Sequence, residues 1–424
     1  MYDLSKPQRS VYEIETYAGG SISVVCGSMF LKGTRSLEEL QNAVNKIYEI
    51  NDALRLCIVR TEHGMQQKVE EFVEQDAEVL GFKKRETFDL YADACAKDPL
   101  DLYGLLCIIK IILLEDRYGI LIKLHHVIGD AWALSLICSQ FNSILSGEVP
   151  KAYSYVEYLD KEKFYMKGIG QGKDKAFFLG RFKECGKVTY LSEKGGKSFC
   201  SVRKTFVLDV RKSGQIVTYA KARNVSLFVL SMAVLAVYMS RTKWNVDKFY
   251  IGTAALNRAG GHDKNTVGMF VNSLPMLICL DNEKSFWDNL LQIRQESFSV
   301  FRHQRYGYSE VLKDIREAYH FNEKLYDVVL NCQNTTVFGG GEEVETTWHH
   351  NGMQVESLQI HIDNQDEEGT FRMHYDYQVE KFAEKEIIRM HGQMMSLLFD
   401  AMVDDGKKLY ELEMLSDVEC KKKL

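Results

Sequence analysis

The sequence predicts an α+β protein with two domains of similar size, and three observations support this. The chain has 424 residues, enough for two or three units that each bury a core. Both halves mix strand-like runs of Ile, Leu and Val with segments whose apolar residues recur at helical spacing. A charged and aromatic stretch at 151–175 follows Pro150. We interpret this stretch as a helical connector with a flexible, glycine-containing end.

The first half predicts a helix, two pairs of strands and a second helix. Residues 37–51 have apolar positions at helical spacing, and Ser36 can cap the start of that helix. Residues 54–72 predict two strands around a Glu-His-Gly turn, and residues 105–126 predict a second pair. The second pair carries Ile and Leu on both faces, which favours central strands of a covered sheet. Helical spacing returns at 132–145.

The second half repeats this alternation of strands and helices. The predicted elements are strands at 201–210, 249–255 and 273–280, helices at 213–222, 226–240, 285–304 and 381–403, and a hairpin at 355–363 and 369–377. The glycine-rich segment 336–350 (TVFGGGEEVETTWHH) predicts a long surface loop.

Composition excludes several classes of protein. With 53 Lys and Arg against 59 Asp and Glu, the net charge of −6 gives no electrostatic reason to expect nucleic acid or an anionic membrane as partner. The longest apolar stretch, 226–240, is shorter than the roughly 20 residues of a membrane span, so we expect a buried helix and no span. The N-terminus has no apolar signal region, which predicts a cytoplasmic protein. Ten scattered cysteines without a CxxC pair favour reduced thiols over disulfides or zinc.

Residues 121–137 (LIKLHHVIGDAWALSLI) contain the strongest candidate site, with His125, His126 and Asp130 between a predicted strand and a predicted helix. Adjacent residues of a strand point to opposite faces, so the two histidines cannot bind one metal ion and no metal is expected. Hydrogen-bonded structural residues are one alternative. A ligand-binding site is the other, because strand ends in layered folds are where polar groups meet ligands. Asp130 suits the N-cap of the following helix in either case.

The segment HHVIGDA at 125–131 resembles the HHxxxDG signature of the condensation domains of nonribosomal peptide synthetases. Other acyltransferases that use coenzyme A share this signature, so the order of further motifs carries more weight. The segments that resemble family motifs, in the expected order, are DLSKPQRSVYEIE at 3–15, NDALRLCIV at 51–59, YIGTAALNRAGG at 250–261, VGMFVNSLPM at 267–276, FRHQRYGYSEVL at 301–312, VVLNCQN at 328–334 and LYELEMLSDVE at 409–419. The resemblance thus covers the whole chain.

The resemblance implies a fold of two chloramphenicol-acetyltransferase-like subdomains, arranged in a V with a central tunnel. We place the N-terminal subdomain, which carries the histidine motif, at 1–165 and the C-terminal subdomain at 166–424. The implied reaction is amide formation, in which the amine of a carrier-bound amino acid attacks an acyl thioester.

The resemblance also implies roles for the residues of the motif. His126 would face the tunnel as the catalytic residue, taking a proton from the attacking amine or holding it by a hydrogen bond. His125 would point into the core or toward a backbone carbonyl and orient the loop. Asp130 would be structural and pair with an arginine, for which Arg55 and Arg258 are candidates and Arg55 is slightly favoured.

Further residues are assigned on the same basis. Ala131 stands where the family has glycine, at a cost of roughly 1 kcal/mol if that position requires positive φ and at little cost if it requires only a small residue. Asn272 and Ser273 are candidates to line the tunnel or to cap a strand. Gln333 is a candidate hydrogen-bond donor to a carbonyl oxygen or an ordinary sheet residue.

The remaining histidine candidates favour structural roles. His303 is expected to be a histidine at the end of a helix. His349 and His350 are expected to be residues of the glycine-rich loop.

The ends of the sequence suggest the donor. Met1 lies just before the first family motif, which favours a starter condensation domain that receives a fatty acyl group from acyl-CoA or an acyl carrier protein. The acceptor would be a peptidyl carrier protein, and phosphopantetheine thioesters would arrive with CoA or carriers instead of a bound cofactor. The end at KKKL lies where an adenylation domain would begin, so the chain is either a piece of a larger synthetase or free-standing. The alternatives are an elongating condensation domain, an epimerization domain, and a catalytically silent module that only recruits carriers.

Overall fold

The computed structural model describes residues 1–62, 64–185, 188–243, 246–332, 344–363 and 370–415. The strands are β1 Tyr2–Asp3, β2 Val24–Lys32, β3 Leu56–Thr61, β4 Gly64–Val69, β5 Val79–Gly81, β6 Cys107–Leu113, β7 Arg117–His125, β8 Ser201–Val207, β9 Lys248–Ala255, β10 Asn272–Cys279, β11 Val328–Cys332, β12 Val344–His349, β13 Leu358–Asp363 and β14 Arg372–Gln378. The helices are α1 Lys6–Ala18, α2 Leu37–Ile50, α3 Arg85–Lys97, α4 Ala131–Leu145, α5 Tyr155–Met166, α6 Ile169–Glu184, α7 Val210–Ala222, α8 Leu227–Thr242, α9 Gly260–Lys264, α10 Phe286–Arg302, α11 Tyr308–Tyr319 and α12 Glu384–Val403.

The chain divides into two compact units. The first comprises Met1–Gln171, Leu256–Val271 and Thr335–Val355, and the second comprises Gly172–Ala255, Asn272–Asn334 and Glu356–Leu424. The predicted boundary at 165/166 lies close to the first break between the units. The prediction differs from the structure at Leu256–Val271 and Thr335–Val355. Both segments fall in the predicted C-terminal subdomain, whereas the structure places them in unit one. One reason is that β12, late in the chain, pairs with β2.

Unit one is built on a five-stranded sheet with the order β12-β2-β7-β6-β5, beside a three-stranded sheet with the order β1-β4-β3. Strand β7 lies at the centre of the larger sheet and is buried along nearly its whole length, as its apolar residues on both faces predicted. One face of the larger sheet packs with α2 and α4 in a core that includes Leu40, Ile47 and Phe141. The other face packs with α3 through Phe88 and Ala92.

Unit two is built on a six-stranded sheet with the order β10-β9-β11-β13-β14-β8. The pairs β9–β11 and β11–β13 are parallel, whereas the other pairs are antiparallel. Helix α8 packs against α10 and α12, and it is buried from Val229 to Ser240. The apolar stretch at 226–240 is therefore a core helix, as predicted.

The structure confirms the α+β class, with each unit made of sheet and helices. In the described parts of the chain, no single helix has the length and apolar character to cross a membrane. Helices α7 and α8 meet that test only as a pair, bent by 104° at the break between them.

Two predicted loops are corrected in part. The end of the segment predicted as a glycine-rich loop forms β12, in which His349 is buried at 4% exposure. Residues 333–343 lie outside the described residues. The glycine-containing end of the predicted connector is helical from Ile169, because α6 continues to Phe178 and Phe182, whose side chains are buried in the core of unit two. Buried apolar contacts thus outweigh the low helix propensity of glycine.

Candidate active site

Strand β7 ends at His125. The backbone amide of His125 donates to the Leu106 carbonyl, which extends the hydrogen bonding between β7 and β6 by one residue. The His125 ring is buried, and its Nδ1 accepts a hydrogen bond of 3.1 Å from the Val127 amide. Because Nδ1 is an acceptor, the proton of the neutral ring lies on Nε2. That nitrogen lies 2.6 Å from Oε2 of Glu15. His125 therefore lies in the core and contacts the loop through the Val127 amide.

The backbone carbonyl of Val127 is bound by the side chain of Gln8. The Gln8 side chain donates to the Val127 carbonyl at 2.9 Å and exchanges amide hydrogen bonds of 2.8 Å with Gln67. Gln8 is also the partner of Ser5 in the capping box of α1. The backbone N–H and C=O of Val127 thus both have buried partners, which restricts the loop that follows His126.

Asp130 caps α4, as the sequence predicted, and its side chain accepts from the Ala133 amide at 2.9 Å. The carboxylate is completely buried and also accepts from Arg258, at 2.9 and 3.1 Å. The amides of Phe270 and Val271 donate to its Oδ2 at 3.1 and 3.2 Å. The carboxylate therefore joins the start of α4 to the segment Leu256–Val271.

The guanidinium of Arg258 organises that segment around itself. It donates to the carbonyl oxygens of Asp263, Thr266 and Gly268, at 2.8, 2.6 and 3.1 Å. The guanidinium carbon also lies 3.9 Å from the centre of the Phe270 ring. These contacts satisfy most of the donors of a buried cation, which is the condition for such a pair to be stable.

The preference for Arg55 as the partner of Asp130 is wrong. Arg55 instead donates to backbone carbonyls, including that of Tyr48 at 3.0 Å and that of Glu70 at 2.5 Å. Its position at the end of a short 3-10 helix, Asp52–Arg55, places it beside those carbonyls. Sequence alone offered two arginines, and only the fold decides which one reaches the buried carboxylate.

Ala131 occupies the first helical position of α4. The described non-glycine residues with positive φ are Asn224, Asn257 and His320. Ala131 is not one of them, so the backbone strain considered for this position is absent.

His126 follows β7, and its backbone amide donates to the Ser23 carbonyl at 2.6 Å. The side chain is partly exposed, while its Nδ1 is buried and has no hydrogen-bond partner among the described residues. Burial lowers the pKa of the ring below its ordinary value, and the Asp130 charge and the backbone of His126 and Gly129 oppose this only in part. His126 is therefore a neutral imidazole at pH 7 that can accept a proton or a hydrogen bond from an incoming group.

A family model described as "Condensation domain" matches residues 1–424. The chain belongs to the condensation domain family. Among curated relatives, one component of the plipastatin synthase of Bacillus subtilis (strain 168) is 24% identical over 440 residues, which cover 100% of this chain and 17% of the relative. Surfactin synthase subunit 1 of the same strain is also 24% identical, covering 100% of this chain and 12% of the relative. The chain thus spans less than a fifth of the length of these two relatives.

Solved condensation domains have the same fold. The starter condensation domain of rhizomide synthetase, a mutant in complex with C8-CoA, has a TM-score of 0.86 at 17% identity, covering 98% of each chain. The first condensation domain of the calcium-dependent antibiotic synthetase has a TM-score of 0.84 at 15% identity, covering 98% of this chain and 99% of that one. At these identities the likeness establishes the fold.

The other predicted site residues of this condensation domain belong to unit two. Asn272 begins β10 and is buried, with its side chain donating to the Gln304 carbonyl at 2.8 Å. Ser273, the next residue, is exposed. The contacts of Asn272 are those of a structural residue at a strand end. Gln333 lies outside the described residues.

Of the three other histidines singled out from sequence, His303 and His349 make structural contacts, and His350 directly follows β12 outside any helix or strand. His303 directly follows α10, as predicted, where its Nδ1 lies 2.6 Å from Asp174 and its ring stacks on Phe177 at 4.1 Å. The expectation of a loop at His349 is wrong, since this residue ends β12.

Several supporting residues of the site were missed from sequence. Tyr155 is completely buried and donates to the Met269 carbonyl at 2.7 Å, and its hydroxyl lies 3.1 Å from Ser5 Oγ. Its ring lies so close to Gly268 that a Cβ on that glycine would come within 2.2 Å of it. Glu15 and Gln8 were within a segment recognised from sequence, but their contacts with the histidine loop depend on tertiary structure. In the part of the chain that is described, no three His, Cys, Asp or Glu residues are placed to hold a metal ion.

Proposed function

We propose that this condensation domain is an amide-forming acyltransferase of a nonribosomal peptide synthetase, and that His126 is its catalytic residue. The observation that carries the proposal is the setting of His126. It is a neutral, partly exposed imidazole on a loop held by buried contacts on both sides. A rigid support with one available basic group is the arrangement that proton transfer requires.

The reaction joins the amine of a carrier-bound amino acid to an acyl thioester. With an α-amino pKa of about 8, the amine is mostly an ammonium ion at pH 7 and must lose a proton to attack. The nitrogen then bonds to the thioester carbonyl carbon, the carbon–sulfur bond breaks, and a proton released from nitrogen passes to the departing thiolate. His126 would hold or relay that proton, contributing about 10²–10⁴-fold in rate. Positioning of the two substrates would contribute further.

For the donor, we propose a fatty acyl thioester carried by CoA or by an acyl carrier protein. The support is the rhizomide synthetase starter domain, whose structure contains C8-CoA and whose fold this chain shares. Since the two sequences are only 17% identical, this assignment of the donor rests on the shared fold. Phosphopantetheine would enter as the arm of each substrate and not as a resident cofactor.

For the partners, we propose a peptidyl carrier protein as acceptor and an adjoining adenylation domain in a longer synthetase. The support is the length of the curated relatives, of which this chain spans 17% and 12%. We further propose that Ser273 and Gln333 contribute to a substrate-binding surface. Asn272 would support that surface from within the sheet.

The test is a reconstituted reaction with an aminoacyl carrier as acceptor. Donors would be a series of acyl-CoAs, the matching acyl carrier proteins, and a peptidyl carrier, with the product followed by mass spectrometry of the carrier arm. We expect N-acyl product from acyl donors, with kcat/KM rising roughly fourfold per CH₂ while the chain still buries in the site, since each buried CH₂ is worth about 0.8 kcal/mol. Product only from the peptidyl carrier would replace the starter assignment with an elongating domain. No product with any donor would contradict the catalytic proposal.

A further inference from the structure

A row of chemically reactive side chains crosses the larger sheet of unit one, on the face that packs against α3. Cys26 of β2 is paired with His349 of β12 on one side and with Lys123 of β7 on the other. Directly paired residues of antiparallel strands have side chains on the same face. All three are buried, with exposures of 0% for Cys26, 4% for His349 and 2% for Lys123.

Helix α3 and its C-cap place a partner over each member of this row. Asp93 lies 3.2 Å from Nδ1 of His349, and Asp98 lies 2.8 Å from Nζ of Lys123. Between these pairs, the thiol of Cys95 faces the thiol of Cys26, close enough for the Cys26 thiol to donate a hydrogen bond to a Cys95 thiolate. Both cysteines belong to the apolar cluster between α3 and the sheet. The polar row is therefore satisfied at one end by the Lys123–Asp98 ion pair, at the other by the hydrogen bond between His349 and Asp93, and at its centre by two facing thiols.

The two thiols differ in acidity and access. The hydrogen bond from Cys26 and the ammonium groups of Lys123 and Lys110 hold the pKa of Cys95 below its usual range, against the effects of burial and Asp98. The same hydrogen bond, together with burial, raises the pKa of Cys26 well above its usual range. Cys95 is partly exposed, whereas Cys26 is not. One thiol is thus a reachable thiolate and its neighbour a protected thiol, which is the arrangement of an attacking and a resolving cysteine.

Other buried cysteines lack this arrangement. Burial raises the pKa of both Cys107 and Cys138 to about 12, which suppresses thiolate formation at neutral pH. They therefore serve as internal controls for any difference in reactivity.

We propose that Cys95 and Cys26 form a reversible disulfide when the protein meets a hydroperoxide. The Cys95 thiolate attacks the peroxide oxygen, the oxygen–oxygen bond breaks, and the peroxide departs as an alcohol or as water after taking up a proton. Cys95 is then a sulfenic acid. The Cys26 sulfur displaces water from it, so the pair loses two electrons and two protons while one peroxide is reduced. A thiol such as glutathione reverses the reaction by exchange at the disulfide.

The experiment treats the reduced, full-length protein with a small excess of hydrogen peroxide. Remaining thiols are then blocked with N-ethylmaleimide, and the protein is digested with trypsin without reduction. Trypsin releases Cys26 in peptide 10–32 and Cys95 in peptide 86–97, each with a single cysteine. We expect these two peptides to appear joined, and to separate after treatment with dithiothreitol. A disulfide between other cysteines, or none while other thiols are oxidised, would overturn the proposal.

Three variants and one rate measurement sharpen this result. Cys26→Ala removes the resolving thiol, so Cys95 should accumulate as a sulfenic acid that dimedone traps. Cys95→Ala should prevent the linkage, and Cys138→Ala should leave it unchanged. In the wild-type protein, the rate of alkylation of Cys95 should reach half of its plateau at a pH below the ordinary thiol value of about 8.5. This last measurement needs no substitution, and a midpoint at or above that value would contradict the proposed thiolate.

Discussion

The chain contains two adjacent histidine pairs, His125–His126 and His349–His350, and the structure gives His126 and His349 different surroundings. His349 has a partner at each ring nitrogen, with Ser28 Oγ 3.0 Å from Nε2 and Asp93 Oδ1 3.2 Å from Nδ1. His126 has a buried Nδ1 with no hydrogen-bond partner among the described residues. Burial lowers the pKa of both rings. The direction of the pKa shift therefore does not distinguish His126 from His349. The hydrogen bonds of their ring nitrogens do.

This difference has a physical meaning. A buried polar atom without a partner costs free energy, commonly about 1–3 kcal/mol, so each such atom in a native fold needs an explanation. A histidine whose two nitrogens are both engaged has no lone pair or proton left for a substrate. This contrast supports the proposed catalytic role of His126, whereas the contacts of His349 stabilise the packing of β12 and α3.

The largest expected effect separates the two histidines by activity. His126→Ala should lower the rate of amide formation by about 10²–10⁴-fold while the protein stays folded, because it removes only the proton-transfer group. His349→Gln is the matched control. It should leave kcat unchanged and lower the free energy of unfolding by about 1–3 kcal/mol, through loss of buried hydrogen bonds. Steady-state kinetics and urea unfolding measure the two quantities.

Two outcomes would reverse the comparison. Wild-type turnover by His126→Ala with its natural substrates would remove the catalytic role. A loss of kcat in His349→Gln at unchanged stability would mean that the strand β12 takes part in catalysis.

The second effect concerns the supports of the histidine loop. Arg258→Ala leaves the Asp130 carboxylate buried without its cation, and Asp130→Ala leaves the guanidinium buried without its anion. Each should lower the free energy of unfolding by about 3–5 kcal/mol, as breaking a buried ion pair does. Arg55→Ala is the control, since Arg55 bonds only to backbone carbonyls near the surface in the contacts described here. Chemical denaturation of the three variants provides the comparison.

Arg55→Ala should cost less than either buried change. An equal or larger cost for Arg55→Ala would contradict the dominance of the Asp130–Arg258 pair. Unchanged stability in Asp130→Ala would show that the pair is not needed for folding.

The sequence predicted elements whose pattern is local. The helix that begins after Ser36 and the central strand β7 follow from capping and apolar periodicity in neighbouring residues. Strand β12 was missed because its alternation is weak, and its partner β2 lies far earlier in the chain. Pairing over such a separation leaves no local signal.

The same reasoning explains what was predicted of the site. The motif at 125–131 gave the identities of His126 and Asp130, since these residues lie together in sequence. Arg258 and Glu15 lie far from the motif, and their roles depend on which side chains the fold brings to the loop. The sequence provides candidate partners, and the tertiary structure determines which of them contacts the loop.

The smallest expected effect is a dependence on pH, and it tests the two histidines by different measurements. For His126, activity as a base requires the neutral ring, and burial lowers its pKa. The acid limb of the kcat/KM profile should therefore have its midpoint below the ordinary histidine value of about 6.5. For His349, the unfolded chain takes up a proton near that ordinary value, while the folded chain does so only at lower pH.

Between these two pKa values the unfolded state binds more protons, so the contribution of His349 to stability falls as the pH falls, by at most about 1.4 kcal/mol per pH unit. Other histidines act in the same direction, since the pKa values of His374 and His391 are both about 4. The informative quantity is therefore the difference in unfolding free energy between the wild type and His349→Gln. That difference should shrink as the pH is lowered from about 7 to about 5. A constant or growing difference would mean that His349 is not held neutral, and the contrast between the two histidines would then rest on His126 alone.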